Sequence, residues 1–154
     1  MIPNLCFKLA IPEKIPPSMS KSINTWKKGA SKRQFIKKCY DYLIPRHHGT
    51  LFNIIFRFPE LYSNGVDKIW PRKGYLHCTT LNYLIRIMLV KSGLFKDSDI
   101  ELKFTIIHGF IPHQYMKIWL SKNKFLYVDP WAYQLGIDFG ERASGFNSSM
   151  RPVR

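Results

Sequence analysis

Three residues of this sequence have the types and the order of a nucleophilic site: Cys78, His113 and Asp129. A cysteine thiolate is a strong nucleophile once something takes its proton. Histidine does that near neutral pH and can return the proton to a leaving group. A carboxylate that accepts a hydrogen bond from the imidazole fixes its tautomer and orientation. Each residue alone is weak evidence, because a helix cysteine is most often core and Asp129-Pro130 is a common turn. The ordered set, on the elements described next, is far more specific.

Those elements can be read from periodicity. Residues 78–92 read as a helix with Leu81, Leu84, Ile85, Met88 and Leu89 on one face. Ile87 and Val90 make the other side apolar too, so this is a buried central helix. Gly93 supplies its stop and Lys91 suits its last turn. Cys78 opens the helix, where unpaired N–H groups and the dipole favour an anion, and hence a thiolate. From Leu102 the period changes to that of strands. Residues 102–110, 113–120 and 125–128 read as three strands, with Ser121, Lys122, Asn123 and Lys124 as a hairpin connection. His113 then begins a strand, and Asp129 ends the next one before Pro130 stops the pairing.

This arrangement carries a register condition. Directly opposed residues share a sheet face, and side chains alternate along each strand. His113 and Asp129 are both odd-numbered, so opposed residue numbers must add to an even value. A plain two-residue turn at Lys122-Asn123 would give an odd one. The expectation is an odd-length connection between Ser121 and Lys124, or a bulge before His113 or Asp129.

The remaining histidines have other readings. His108 is a rival base close to His113, and His77 adjoins Cys78 in a capping or surface position. His47 and His48 with Cys39 lack further ligands at zinc-like spacing, so no metal site is expected. Cys39 lies on the apolar stripe of a helix that starts at Ser31, where Ser31 and Gln34 have capping-box spacing, and that ends before Pro45. It reads as a core thiol. Residues 1–24, with Pro3, Pro12, Pro16 and Pro17, read as an irregular arm with a short strand near Cys6 to Ala10. Residues 51–58 read as a short helix or strand, and a turn of helix is expected near Val66 to Trp70. The tail from Gly136 to Arg154 reads as a loop with a mobile terminus. Strands following helices make the fold class α+β, with an antiparallel sheet.

The chain has 154 residues, of which 45% are hydrophobic and 15% aromatic, enough for one domain with a real core. No apolar run reaches the roughly 18 residues of a membrane span. The longest, around Leu81 to Val90, is interrupted by Asn82 and Arg86. No secretory signal pattern opens the chain. An odd count of 3 cysteines, without a Cys-x-x-Cys pair, fits a reducing, cytoplasmic setting better than a disulfide framework. The formal net charge of +14 attracts phosphates, acidic proteins and anionic surfaces. The positive residues are dispersed along the sequence, which argues against a nucleic-acid groove.

The segment GYLHCTTLNYLIRIMLVKSG, from Gly74 to Gly93, resembles the cysteine helix of transglutaminase-like proteins. The segment HQYMKIWLSKNKFLYVDP, from His113 to Pro130, resembles that family's histidine strand, turn and aspartate strand. Gly109 resembles a glycine often found in the strand before the histidine. The family often has tryptophan where this chain has Tyr115 and Phe125, and an acidic residue where it has Lys117. The aromatic swaps keep packing area, whereas Lys117 reverses a charge and bears on substrate preference.

The resemblance, which spans roughly 74–131, implies a papain/transglutaminase-like core. A central buried helix carries the cysteine, and a small antiparallel sheet carries histidine and aspartate. It implies one domain over residues 1–154: an arm (1–24), a helical part (25–73), a catalytic core (74–131) and a C-terminal loop (132–154). The implied reaction is acyl transfer or amide hydrolysis of a protein or peptide through a thioester on Cys78, without a cofactor. The Cys78 N–H is the implied oxyanion donor, with Trp70 a candidate second donor. The competing reading is a catalytically idle basic module that binds nucleic acid or an acidic protein.

Overall fold

A computed structural model describes residues 8–47, 57, 59 and 65–145. The stretch 51–58 lies almost wholly outside the described residues, as do Cys6, His48 and residues 146–154. The fold is α+β: helices lead into a three-stranded antiparallel sheet in the order β1-β2-β3.

The first helix, Pro17–Trp26, begins within the stretch expected to be an irregular arm and runs two residues past its end. The prolines that argued for irregularity start this helix instead. Pro16 is its N-cap and Pro17 its first residue, where a missing N–H costs nothing. Met19 and Ile23, one turn apart, bury its inner face. The second helix, Lys32–Leu43, begins at the expected capping box. The Gln34 N–H donates to Ser31 Oγ at 3.3 Å, and the Ser31 N–H donates to Gln34 Oε1 at 2.8 Å. Phe35, Ile36, Cys39 and Leu43 bury its stripe, so Cys39 is a core thiol. A single turn, Val66–Ile69, stands where one was expected.

The long helix Cys78–Lys91, here the cysteine helix, packs against both of these helices and the sheet. Leu84, Ile85, Ile87, Met88 and Leu89 are fully buried, each burial contributing roughly 1.5–3 kcal/mol. Gly93 ends it with φ 78°, a left-handed backbone that glycine adopts without strain. Asn82 and Arg86, the two interruptions of its apolar run, are buried as well.

β1 is Ile100–Ile107, β2 is Ile111–Ser121 and β3 is Lys124–Val128. β1 starts earlier than its periodicity indicated, and 108–110 form the turn into β2. Gly109 therefore sits in that turn, at φ 80°, rather than in a strand. Between β2 and β3 the pairs Met116↔Val128, Lys117↔Tyr127, Ile118↔Leu126 and Trp119↔Phe125 give the even sum that the site requires. The connection itself is the two-residue turn Lys122-Asn123, and a register shift between Trp119 and Ser121 corrects the parity. The bulge thus falls at Leu120, on the histidine's strand beyond His113. It serves the core equally, since Leu126 and Val128 would face outward without it.

The most demanding buried group is Arg86. Its Nε donates to Asp97 Oδ1 at 2.6 Å, and a terminal nitrogen donates to Asp97 Oδ2 at 3.3 Å and to the Leu9 carbonyl. Burial alone would raise the Asp97 pKa, but hydrogen bonds and charges from Arg86 and Lys8 hold it below its ordinary value. A carboxylate depressed in this way stabilises the fold above about pH 3.9, and the contribution is lost as pH falls through the lower folded value. Asp97→Asn should cost about 2 kcal/mol in urea unfolding at neutral pH. That is below the ~3–5 kcal/mol of a fully buried pair, because the Asp97 side chain is 40% exposed. Arg86→Met should cost less than Asp97→Asn, since it leaves no buried charge behind; the reverse order would mean that packing, not charge pairing, holds this contact.

Candidate active site

His113 is the third residue of β2 and lies opposite Thr105 of β1. Its Nε2 lies 2.8 Å from each oxygen of Asp129, which directly follows the last residue of β3. The carboxylate is held from two further directions. The Ala132 N–H donates to Oδ1 at 3.3 Å, and the Ala143 N–H donates to Oδ2 at 2.9 Å. Trp131 packs its ring on the imidazole, with centroids 5.3 Å apart. His113, Asp129 and Trp131 are all buried, so this hydrogen bond is shielded from water.

Cys78 is the first residue of the cysteine helix and is partly exposed. His77 stands at the N-cap but makes no side-chain cap bond. The Cys78 side chain lies near enough to His113 to help raise the pKa of its ring. Since Asp129 holds Nε2, the nitrogen left for sulfur is Nδ1. Burial alone would lower the His113 pKa. The Asp129 charge and hydrogen bond, reinforced by Cys78, outweigh it and push the pKa up to about 10. The ring therefore keeps its proton at neutral pH. Cys39 is the opposite case: burial pushes its thiol well up, which makes it inert.

One turn beyond Cys78, Asn82 ties helix to strand. Its Nδ2 donates to the Gln114 carbonyl at 2.9 Å and to Gln114 Oε1 at 3.2 Å. This anchors the backbone beside His113 to the helix that carries Cys78. Sequence reasoning noted Asn82 only as a break in the apolar run. Its burial among leucines was the available signal that it must have a partner. Trp131 was visible as the residue after Asp129-Pro130. Ala132 and Ala143 contribute backbone N–H groups, which no side-chain pattern reveals. The segment 136–145, expected to be a loose loop, is thus built into the site, with Ile137 and Ala143 buried.

The other candidate residues lie elsewhere. The Trp70 indole N–H donates to Ser18 Oγ at 3.0 Å, and its ring stacks on Tyr42 in the core. That hydrogen bond engages its only donor, so the structure does not bring it to the site as an oxyanion group. His77 is buried rather than on the surface. Its Nδ1 meets the Tyr75 hydroxyl at 3.0 Å and its Nε2 meets the Arg57 carbonyl at 2.8 Å. His108 lies in the β1–β2 turn with φ 51°, while His113 occupies the carboxylate. His47 makes a bridge with Gly74. Among the described residues no group of three or more His, Cys, Asp or Glu is placed to hold a metal ion.

A thiol whose partner is His113 carries a clear chemical signature. Iodoacetamide should alkylate Cys78 of the parent protein readily near neutral pH, while His113→Ala should react at least roughly tenfold more slowly there and recover only in alkaline buffer. Superimposable pH profiles would remove His113 as the partner and turn attention to His108. The linkage has a defined sign. A raised imidazole pKa stabilises the fold fully below about pH 6.5, and that contribution is lost as pH rises through the folded value. The parent should therefore lose more melting temperature than Asp129→Asn as pH rises toward about 10, where the buried ring deprotonates.

No family model matches the chain, and no curated protein or solved structure matches it either.

Proposed function

We propose that this chain is a thiol acyl-transfer enzyme of the transglutaminase-like type, with a papain-like core in which Cys78, His113 and Asp129 act as a triad. The observation that carries this reading is the buried His113 ring, held by the Asp129 carboxylate at Nε2 and with the Cys78 side chain near enough to help raise its pKa. A structural ion pair needs no thiol beside it. A nucleophilic site does.

The steps follow from the positions of these groups. In the resting site the thiol proton already resides on His113 Nδ1, so that a thiolate stands beside an imidazolium. Sulfur attacks the carbonyl carbon of an amide or ester in a protein or peptide, and the carbonyl oxygen becomes an oxyanion. The Cys78 N–H, at a helix end without a side-chain cap, is the donor assigned to it in this reading. The imidazolium then gives its Nδ1 proton to the departing amine or alcohol, and the acyl group remains on sulfur as a thioester. Water or an amine attacks next, His113 takes its proton, and the thiol is restored as the product acid or new amide leaves. Asp129 holds the Nε2–H side of the ring throughout. No cofactor enters these steps, and a reducing, cytoplasmic setting keeps the thiol competent.

The competing reading, an idle module on the same frame, makes opposite predictions. A panel of peptide, isopeptide and amine-acceptor probes should leave an acyl adduct on Cys78, seen by intact mass, and none on the buried Cys39. Cys78→Ala should abolish the adduct and turnover while costing only about 1 kcal/mol of stability, because the side chain is small and partly exposed. Turnover that survives in Cys78→Ala would sink the proposal, as would loss of its cooperative thermal unfolding.

A further inference from the structure

The positive residues that look dispersed in sequence are gathered by the sheet register. Directly opposed residues share a face. Lys103 lies beside Tyr115; Glu101, Lys117 and Tyr127 form the next row; Trp119 lies beside Phe125. The opposite face carries Ile100, Met116, Ile118, Leu126 and Val128 into the core, so this one looks outward. Lys117 Nζ sits 4.2 Å from the centre of the Trp119 ring and 4.3 Å from that of Phe125. Arg142 comes in from the C-terminal segment, its guanidinium 4.9 Å from Tyr115 and 5.4 Å from Tyr127. The rings lock one another edge-on: Tyr115 with Tyr127 at 5.7 Å, Phe125 with Tyr127 at 5.2 Å, and Trp119 with Phe125 at 5.4 Å. Glu101 is engaged by the Trp119 indole N–H at 2.5 Å and by Lys103 at 2.6 Å. Phe125 is nonetheless 41% exposed, and Lys122 and Lys124 project at the hairpin end beside it.

We propose that this outer face of the sheet binds single-stranded nucleic acid. A cation resting on an aromatic ring is held in place without losing its charge. The face therefore offers fixed positive charge alternating with part-exposed rings at the strand's two-residue step of roughly 7 Å. An unpaired nucleic acid strand presents the complement: phosphates in series, and bases whose flat faces stack on aromatic side chains. An acidic peptide would meet the charges and leave the rings without a role. The overall charge of +14 adds long-range attraction for a polyanion. This surface borders the candidate site, since His113 lies two residues from Tyr115 on the same strand, but Cys78 is not one of its residues and the inference does not depend on the catalytic reading.

The test is fluorescence anisotropy with a labelled oligothymidylate of about twelve nucleotides, within the range of single-strand site sizes. The parent should bind at low salt, with affinity falling linearly in log salt. Lys117→Gln and Phe125→Ala should each weaken binding roughly fivefold or more, the low end of what one stacked base contributes. Lys21→Gln, a charge-matched change on the exposed side of the first helix, should weaken it less than about twofold. Cys78→Ala should bind like the parent whatever becomes of its turnover. If Phe125→Ala does not melt cooperatively, Phe125→Leu, which keeps apolar bulk without the ring, is held to the same criterion. Absence of binding at low salt overturns the proposal. So does equal loss in Lys21→Gln and Lys117→Gln, which would mean diffuse charge alone. An unaffected Phe125 variant overturns it too, as does labelled polyglutamate that binds as tightly and responds to the same variants.

Discussion

A helix buried on all sides cannot carry polar side chains unless each finds a partner, and the cysteine helix carries three of them on one stripe. Cys78, Asn82 and Arg86 follow one another at single-turn spacing. An unsatisfied buried group of this kind costs on the order of 1–3 kcal/mol, and more for a charge. Asn82 and Arg86 find Gln114 and Asp97, supplied by β2 and by the turn that leads into β1, and Cys78 lies near His113. The two bonded pairs fix the rotation of the helix about its axis and its height against the sheet. Apolar packing alone would tolerate a small roll of such a uniformly hydrophobic cylinder. The stripe does not, and the place of Cys78 beside the sheet follows from it.

The sheet obeys a second constraint that leads to the same place. Core and site both need opposed residues of β2 and β3 to be of like parity, while the tight turn at Lys122-Asn123 offers the other parity. A single extra residue at Leu120 resolves the conflict. Leu126 and Val128 then enter the core, and Asp129, the next position along, meets His113. The agreement between what packing requires and what the carboxylate requires is a form of consistency across levels that a foldable sequence shows.

Much of this was legible in the residues. The capping box at Ser31, the extent of the cysteine helix, the Gly93 stop and the three strands follow from local signals of cap, period and turn chemistry. Cys78, His113 and Asp129 could be picked out because nucleophile, base and orienter are side-chain types with a required order. Other features were hidden for physical reasons. Pro16 and Pro17 read as breakers, yet at a helix start they initiate. Trp70 had the right donor for an oxyanion, but only the fold reveals that Ser18 takes it. Ala132 and Ala143 act through main-chain N–H groups that every residue but proline owns, so their identity carries no message. The outer face of the sheet was invisible because its members are far apart in sequence, and only register assembles them.

The contact from the Ala143 N–H to Asp129 has a further meaning when the chain is viewed as something made from one end to the other. Cys78 is translated first, then His113, then Asp129, and the backbone group that helps to hold the carboxylate comes after all of them. While residue 143 is still inside the ribosomal tunnel, Asp129 lacks one of its restraints and the ring that it steadies is not yet set. The pair is thus completed only at the end of synthesis, by a residue 65 positions beyond Cys78.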